Sequence, residues 1–172
     1  MAVCAEMGIS LAVTCGMGGI GDIKGEELCP DLPTLRDLPV ALVATSPKDM
    51  LDIPATIAWL LDKGVSVYGR HTSLCTGFMF NSASVKLTGI YKGERPYNKM
   101  LLLNEIPIKK RLKDMSILHK AIAAGKEAEA QGLYYHPAAN AMIDLLSGGE
   151  SSLLQLESLI ENAKWAEAIS KL

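Results

Sequence analysis

Apolar and polar positions along this chain follow two periods. Short apolar runs at residues 9–14, 40–44, 65–68 and 100–103 are bounded by Gly, Pro, Asp or Asn, and they predict buried strands. The first run enters a glycine-rich segment, residues 15–21, which reads as a loop that lets backbone approach a ligand closely. After the second run, Ser46 reads as an N-cap and Pro47 as the first residue of a helix reaching about residue 63. Ile53, Ile57, Leu60 and Leu61 recur there at helical spacing, and Gly64 stops the helix. Strand, helix, strand implies a right-handed parallel crossover. Residues 78–91 interleave polar positions with Phe80, Val85 and Leu87 and read as irregular strand. Helices are predicted at about 116–131, stopped by Gly132, at 138–146, stopped by Gly148, and at 151–170. Residues 1–172 therefore form one α/β domain with a helix-rich C-terminal third.

The 172 residues suit one ordinary domain, and 49% hydrophobic with 21% charged residues predicts a folded core. A net charge of −2 with dispersed basic residues offers no strong field, so neither nucleic acid nor an anionic membrane is an expected partner. The densest basic run, Lys109-Lys110-Arg111 with Lys113, reads as a solvated turn before a helix, with anion binding as the alternative. Residues 1–19 lack the Lys or Arg of a secretory signal and are broken by Gly8, Gly16, Gly18 and Gly19, so neither export nor a membrane span is expected. Cys4, Cys15, Cys29 and Cys75 have no C-x-x-C spacing and read as reduced thiols of a cytoplasmic protein.

Lys48 falls in the first turn of the predicted helix, where the dipole and the unpaired N–H groups disfavour an ammonium ion. It reads either as an amine made available for attack on a carbonyl or anomeric carbon, or as a solvent-facing lysine offset by Asp49 and Asp52. Gly16, Gly18 and Gly19 could present N–H groups to a phosphate, with the Thr14 hydroxyl at the edge, or form a tight turn without a ligand. Asp31, between prolines, could hold Mg²⁺ or Mn²⁺ through water or close an Asx-turn. His71, His119 and His136 are scattered and make no metal set. His136 is placed in a loop between helices with a structural role, and Trp59 and Trp165 read as core or interface.

Taken in order, several blocks resemble the pseudouridine-5'-phosphate glycosidase family, also called the indigoidine synthase A-like family. Residues 8–19, ending in Thr14-Cys15-Gly16-Met17-Gly18-Gly19, resemble its strand and T-G-G-I-G-G loop. Asp31-Leu32 resembles the acidic residue of D-I-S-A-D-L, and residues 39–53 resemble P-V-x-V-V-x-A-G-x-K-S-I-L-D-I. Residues 103–107, 128–132 and 147–163 resemble A-N-P-I-P, A-E-x-Q-G, and T-G-G-x-S with N-N-A. Asp31 and Lys48 keep a separation of seventeen residues.

The resemblance implies a three-layer α/β/α fold with a mostly parallel or mixed sheet, a homotrimer, and cleavage of the C–C glycosidic bond joining uracil to ribose 5-phosphate. Lys48 corresponds to the lysine that forms an imine (Schiff base) with the opened ribose, Asp31 to an aspartate binding a divalent metal, commonly Mn²⁺, and Thr14 to a phosphate-contacting threonine. Gln155 stands where the family's base-binding asparagine is expected, and Cys29 replaces the D-I-S serine. The loop at residues 20–25 is about two residues shorter than the family's, and residues 132–137 lose a lysine and a threonine. The family's N-terminal portion, with its general acid/base glutamate, is expected to be missing. The implied activity is thus altered or completed by another chain, a homo-oligomeric partner or a separate N-terminal fragment. A non-catalytic sugar-phosphate-binding or assembly protein, and an aldolase-like lysine enzyme acting on another sugar phosphate, are the alternatives.

Overall fold

The computed structural model describes residues 1–21 and 28–171, so residues 22–25 of the shortened loop lie outside the described residues. The strands are β1 (Leu11–Val13), β2 (Gly16–Met17), β3 (Ala41–Ala44), β4 (Ser46–Pro47), β5 (Ser66–Gly69), β6 (Leu74–Cys75), β7 (Val85–Lys86), β8 (Gly89–Ile90) and β9 (Met100–Leu103). The helices are α1 (Ala2–Glu6), α2 (Asp31–Asp37), α3 (Ile53–Asp62), α4 (Met115–Ala130), α5 (Tyr135–Leu146) and α6 (Glu150–Ser170), with a 3₁₀ turn at Ile108–Lys110.

Five strands form the central sheet in the order β1-β3-β9-β5-β8, with every pair parallel. β3 and β9 are buried at all four positions, as expected of parallel strands covered on both faces. Leu42, Ala44, Leu101 and Leu103 face α2 and α3 through Leu32, Leu35, Ile53, Ile57 and Leu60. Ala41, Val43, Met100 and Leu102 face α6 through Trp165, Ala166 and Ile169. The result is the expected three-layer α/β/α arrangement with a mostly parallel sheet. Among the described residues no helix is long and apolar enough to cross a membrane.

The helix-rich end packs as a hairpin. A Cβ on Gly125 of α4 would stand 2.5 Å from the Tyr135 ring, so glycine is tolerated mid-helix because it admits that ring. The Tyr135 hydroxyl then donates to the Met50 carbonyl at 3.3 Å, tying the hairpin to the segment that carries Lys48. Gly64 and Gly132 follow α3 and α4 with φ of 75° and 78°, conformations that suit glycine and end the helices.

Several expectations are corrected. Residues 46–52 are not helical: Ser46 and Pro47 continue a parallel ladder, and α3 starts only at Ile53. Asp52 caps it, accepting from Ala55 N at 2.8 Å, with Pro54 in the first turn. Gly16 and Met17 are strand rather than loop because they are the partners of that ladder. The connector after Cys29 contains α2, which begins at Asp31. Within residues 78–91 only β7 and β8 are strand, and His136 lies in the first turn of α5 rather than in a loop.

The segment from Glu105 to Arg111 is pinned by a buried ion pair. Arg111 donates to Ile106 O at 2.7 Å, Phe80 O at 3.0 Å, Thr76 Oγ1 at 3.0 Å and Glu105 Oε2 at 3.3 Å. Glu105 also accepts from Thr76 N at 2.6 Å and from the Thr76 hydroxyl at 2.8 Å. Removing one partner leaves the other charge buried. Arg111→Met is therefore expected to lower unfolding free energy by about 3–5 kcal/mol in urea melts, with a large part recovered in Glu105→Leu/Arg111→Met. Equal loss in single and double variants would contradict the pairing.

Candidate functional site

The site is built where β1 and β3 continue past the sheet. Thr14 N donates to Val43 O at 2.9 Å, Thr45 N to Cys15 O at 2.7 Å, and Lys48 N to Met17 O at 3.2 Å. The register of Leu11 with Ala41 is thus kept through Gly16 with Ser46 and Met17 with Pro47. Lys48 is placed by this ladder, one residue beyond β4 and five before α3. The dipole of α3 does not act on it in the way the sequence suggested.

The Lys48 side chain is half-buried, and its Cγ lies 3.2 Å from where a Cβ on Gly16 would stand. The Phe78 ring approaches the same point at 2.8 Å, so residue 16 must be glycine for lysine and ring to meet over it. Neither neighbouring carboxylate balances the ammonium. Asp52 caps α3, and Asp49 turns inward to accept from Phe78 N, Met79 N, Phe80 N and the Ser82 hydroxyl at 2.6–3.1 Å. Burial pushes the Asp49 carboxyl above its ordinary range, against the opposing pull of those four donors. Among the described residues Lys48 makes no ion pair.

Asp31 and Cys29 meet the same glycine-rich segment. Asp31 Oδ2 accepts from Gly18 N at 2.9 Å, and a Cβ on Gly18 would stand 2.1 Å from Cys29 Sγ. Burial pushes the Cys29 thiol up. The Asp31 N–H and the Lys48 ammonium draw it down, while the Asp31 carboxylate adds to the rise. Lys48, Cys29 and Asp31 therefore share one electrostatic neighbourhood. Of the segment's amides, Gly18 N serves Asp31 and Ile20 N serves Thr56 Oγ1 at 2.9 Å, so these two are engaged within the protein. Gly19 packs against the same Thr56 side chain.

Sequence reasoning missed the group that closes the strand ends. Asn162, fully buried on α6, donates to Thr14 O at 2.7 Å and Thr45 Oγ1 at 2.9 Å, and accepts from Asn104 Nδ2 at 3.0 Å. Arg70 Nη1 donates to Asn104 Oδ1 at 3.3 Å. The polar chain therefore runs across the C-terminal ends of β1, β3, β9 and β5, where open α/β sheets place their ligands. The buried stripe of α6, Leu154, Ser158, Asn162, Trp165 and Ile169, carried the available signal: an asparagine on an apolar face needs partners. Gln155 is half-buried on α6, two turns before Asn162. His119 is exposed, and His71 lies at the far end of the polar chain, beside Arg70.

Asp31 supplies a carboxylate, the hard donor that Mn²⁺ favours, but one of its oxygens already serves Gly18 N. Among the described residues no three His, Cys, Asp or Glu side chains converge as a metal set. The described residues do not by themselves make a cation site.

Asp49→Asn would turn an amide NH₂ toward two of the four donors in either orientation. It is expected to cost about 2–4 kcal/mol in denaturant unfolding; a loss below 0.5 kcal/mol would contradict the clamp. Cys75, buried with its Sγ 3.4 Å from Ser46 Oγ, has its thiol pushed up to about 12 by burial. At pH 8 roughly one in ten thousand would be thiolate. Disulfide reagents are expected to reach Cys75 only on unfolding, and rapid modification of Cys75 in the native protein would contradict this.

The family model described as indigoidine synthase A like protein matches residues 1–172. A pseudouridine-5'-phosphate glycosidase of Staphylococcus aureus (strain MW2) is 30% identical over 199 residues, covering 99% of this chain and 63% of the relative. One from Geobacillus kaustophilus (strain HTA426) is 25% identical, covering 98% and 62%. The prealnumycin C-glycosynthase AlnA in complex with ribulose 5-phosphate superposes with a TM-score of 0.81 at 24% identity, covering 98% of this chain and 62% of its own. An indigoidine synthase A-like protein from Thermotoga maritima superposes with a TM-score of 0.79 at 20% identity, covering 98% and 61%. This chain spans less than two thirds of the length of these relatives. With the family model matched along the whole sequence and the fold shared, the chain belongs to the indigoidine synthase A-like family.

Proposed function

We propose that this protein acts on the C–C glycosidic bond of a small sugar phosphate, with Lys48 as the nucleophile that forms an imine at the sugar carbon. The observation that carries the proposal is the placement of Lys48: half-buried over Gly16, with its charge acting on Cys29 and with Asp49 and Asp52 both committed elsewhere. In such a position the amine adds at the anomeric carbon as the ring C–O bond breaks. Its lone pair then forms the C=N bond while the electron pair of the C–C bond leaves with the aglycone carbon, which takes up a proton, and water hydrolyses the imine to release the sugar phosphate. The names of the relatives support the substrate class, since they are pseudouridine-5'-phosphate glycosidases and one structural neighbour is a C-glycosynthase complexed with ribulose 5-phosphate.

In this proposal Thr14, Gly16, Gly18 and Gly19 shape the sugar side of the site and Gln155 meets the leaving group. Asp31 contributes to any divalent metal, Mn²⁺ included, only with donors beyond the described residues. Proton transfer at the cleaved carbon needs an acid or base that these residues do not supply, and a second chain, as a homo-oligomeric partner or a separate fragment, is proposed to provide it.

Imine formation can be read apart from turnover. Incubation with ribose 5-phosphate and borohydride is expected to leave a reduced sugar-phosphate adduct on the Lys48 peptide, found by mass spectrometry and absent from Lys48→Ala. An adduct of equal yield in both proteins, or none in either, would overturn the assignment.

A further inference from the structure

A cleft of about 240 Å³ opens between α6 and the C-terminal ends of β5 and β9; it takes Arg70 and Asn104 from the polar chain, and Lys48, Cys29 and Asp31 are not among its lining residues. Arg70, Lys110, Glu157 and Glu161 line it, with Asn104 and Ser158 between them. Its size suits a ligand below the roughly 300–1,000 Å³ of drug-sized pockets.

Glu105, also at the wall, has its carboxylate held by Thr76 and Arg111. Glu161 is paired with Lys164 at 2.7 Å, and Lys164 first, then Arg70 and Lys110 at longer range, hold its carboxyl below the usual range. Arg70 and Lys110 have no carboxylate partner among the described residues. Glu157 has no ion-pair partner among the described residues, and it opposes the two cations together with the already paired Glu161.

Arg70 is also preorganised. Its guanidinium lies 5.2 Å from the centroid of the buried Trp165 ring and is held sideways by Asn104 Oδ1, which Asn162 fixes in turn. One of its five N–H groups is engaged by Asn104, and the others are available in a fixed fork, the arrangement that matches an oxyanion. Gly18 N and Ile20 N, by contrast, are already engaged within the glycine-rich segment.

We propose that this cleft is a binding site for a phosphate-bearing small molecule, with Arg70 gripping the phosphate oxygens and Lys110 supplying a second positive charge. The site is independent of imine formation at Lys48 and stands whether or not that chemistry occurs.

Trp165 beneath Arg70 gives the readout, in a Trp59→Phe background so that it is the single tryptophan. Titration with inorganic phosphate and with glycerol 3-phosphate, which has no carbonyl to react with Lys48, at fixed ionic strength is expected to give saturable fluorescence changes, and glycerol none. Arg70→Gln and Lys110→Ala are each expected to weaken binding about tenfold, while Glu157→Gln tightens it about threefold. Lys110 and Glu157 are exposed, so their variants keep the test sharp if Arg70→Gln unfolds. Unchanged affinity in the Lys110 and Glu157 variants, or no phosphate binding at all, would overturn the proposal.

Discussion

The structure depends on one parallel register, the pairing of residues 11–17 with 41–47, which runs without a slip from the sheet into the site. A one-residue shift would turn Leu42 and Ala44 from the α3 face to the α6 face and move Lys48 off Gly16. Asn162 secures the place where the ladder leaves the sheet. Its amide binds Thr14 O and Thr45 Oγ1 together, so α6 holds both strand ends at once.

Around that register the C-terminal layers lock the approach to Lys48. Asp49 gathers the N–H groups of Phe78, Met79 and Phe80, which sets the Phe78 ring over Gly16. Arg111 binds Phe80 O from the other side, and Tyr135 binds Met50 O. The acids beside Lys48 in sequence are thereby committed to other hydrogen bonds, and the lysine charge acts on Cys29. The same polar chain that fixes Thr14 continues through Asn104 to Arg70, so one network organises both the lysine region and the cleft beside α6.

Much of the fold was legible because its signals are local. β3 and β9 are unbroken apolar runs buried on both faces, and Gly64 and Gly132 end helices in the conformation that favours glycine. The start of α3 was not legible: Ser46-Pro47 carries the same local pattern as a helix cap, and only pairing with Gly16-Met17, thirty residues away, makes it strand. Lys48 was singled out through a helix dipole that does not reach it, although the order of family blocks pointed to the same residue. The prolines that flank Asp31 suggest a turn, yet Pro33 is tolerated inside the first turn of α2, where its missing N–H costs nothing. Asn162 and Arg70 meet through strand order, which no local pattern encodes.

Amide hydrogen exchange at Thr45 and Lys48 tests the register most directly, because their N–H groups bond to Cys15 O and Met17 O beyond the end of the central sheet. The structure predicts protection at both amides within about tenfold of that at Val43 and Leu102 in the sheet itself. Exchange at the rate of an unprotected peptide would mean that the ladder ends at Thr14 and that Lys48 is not held over Gly16.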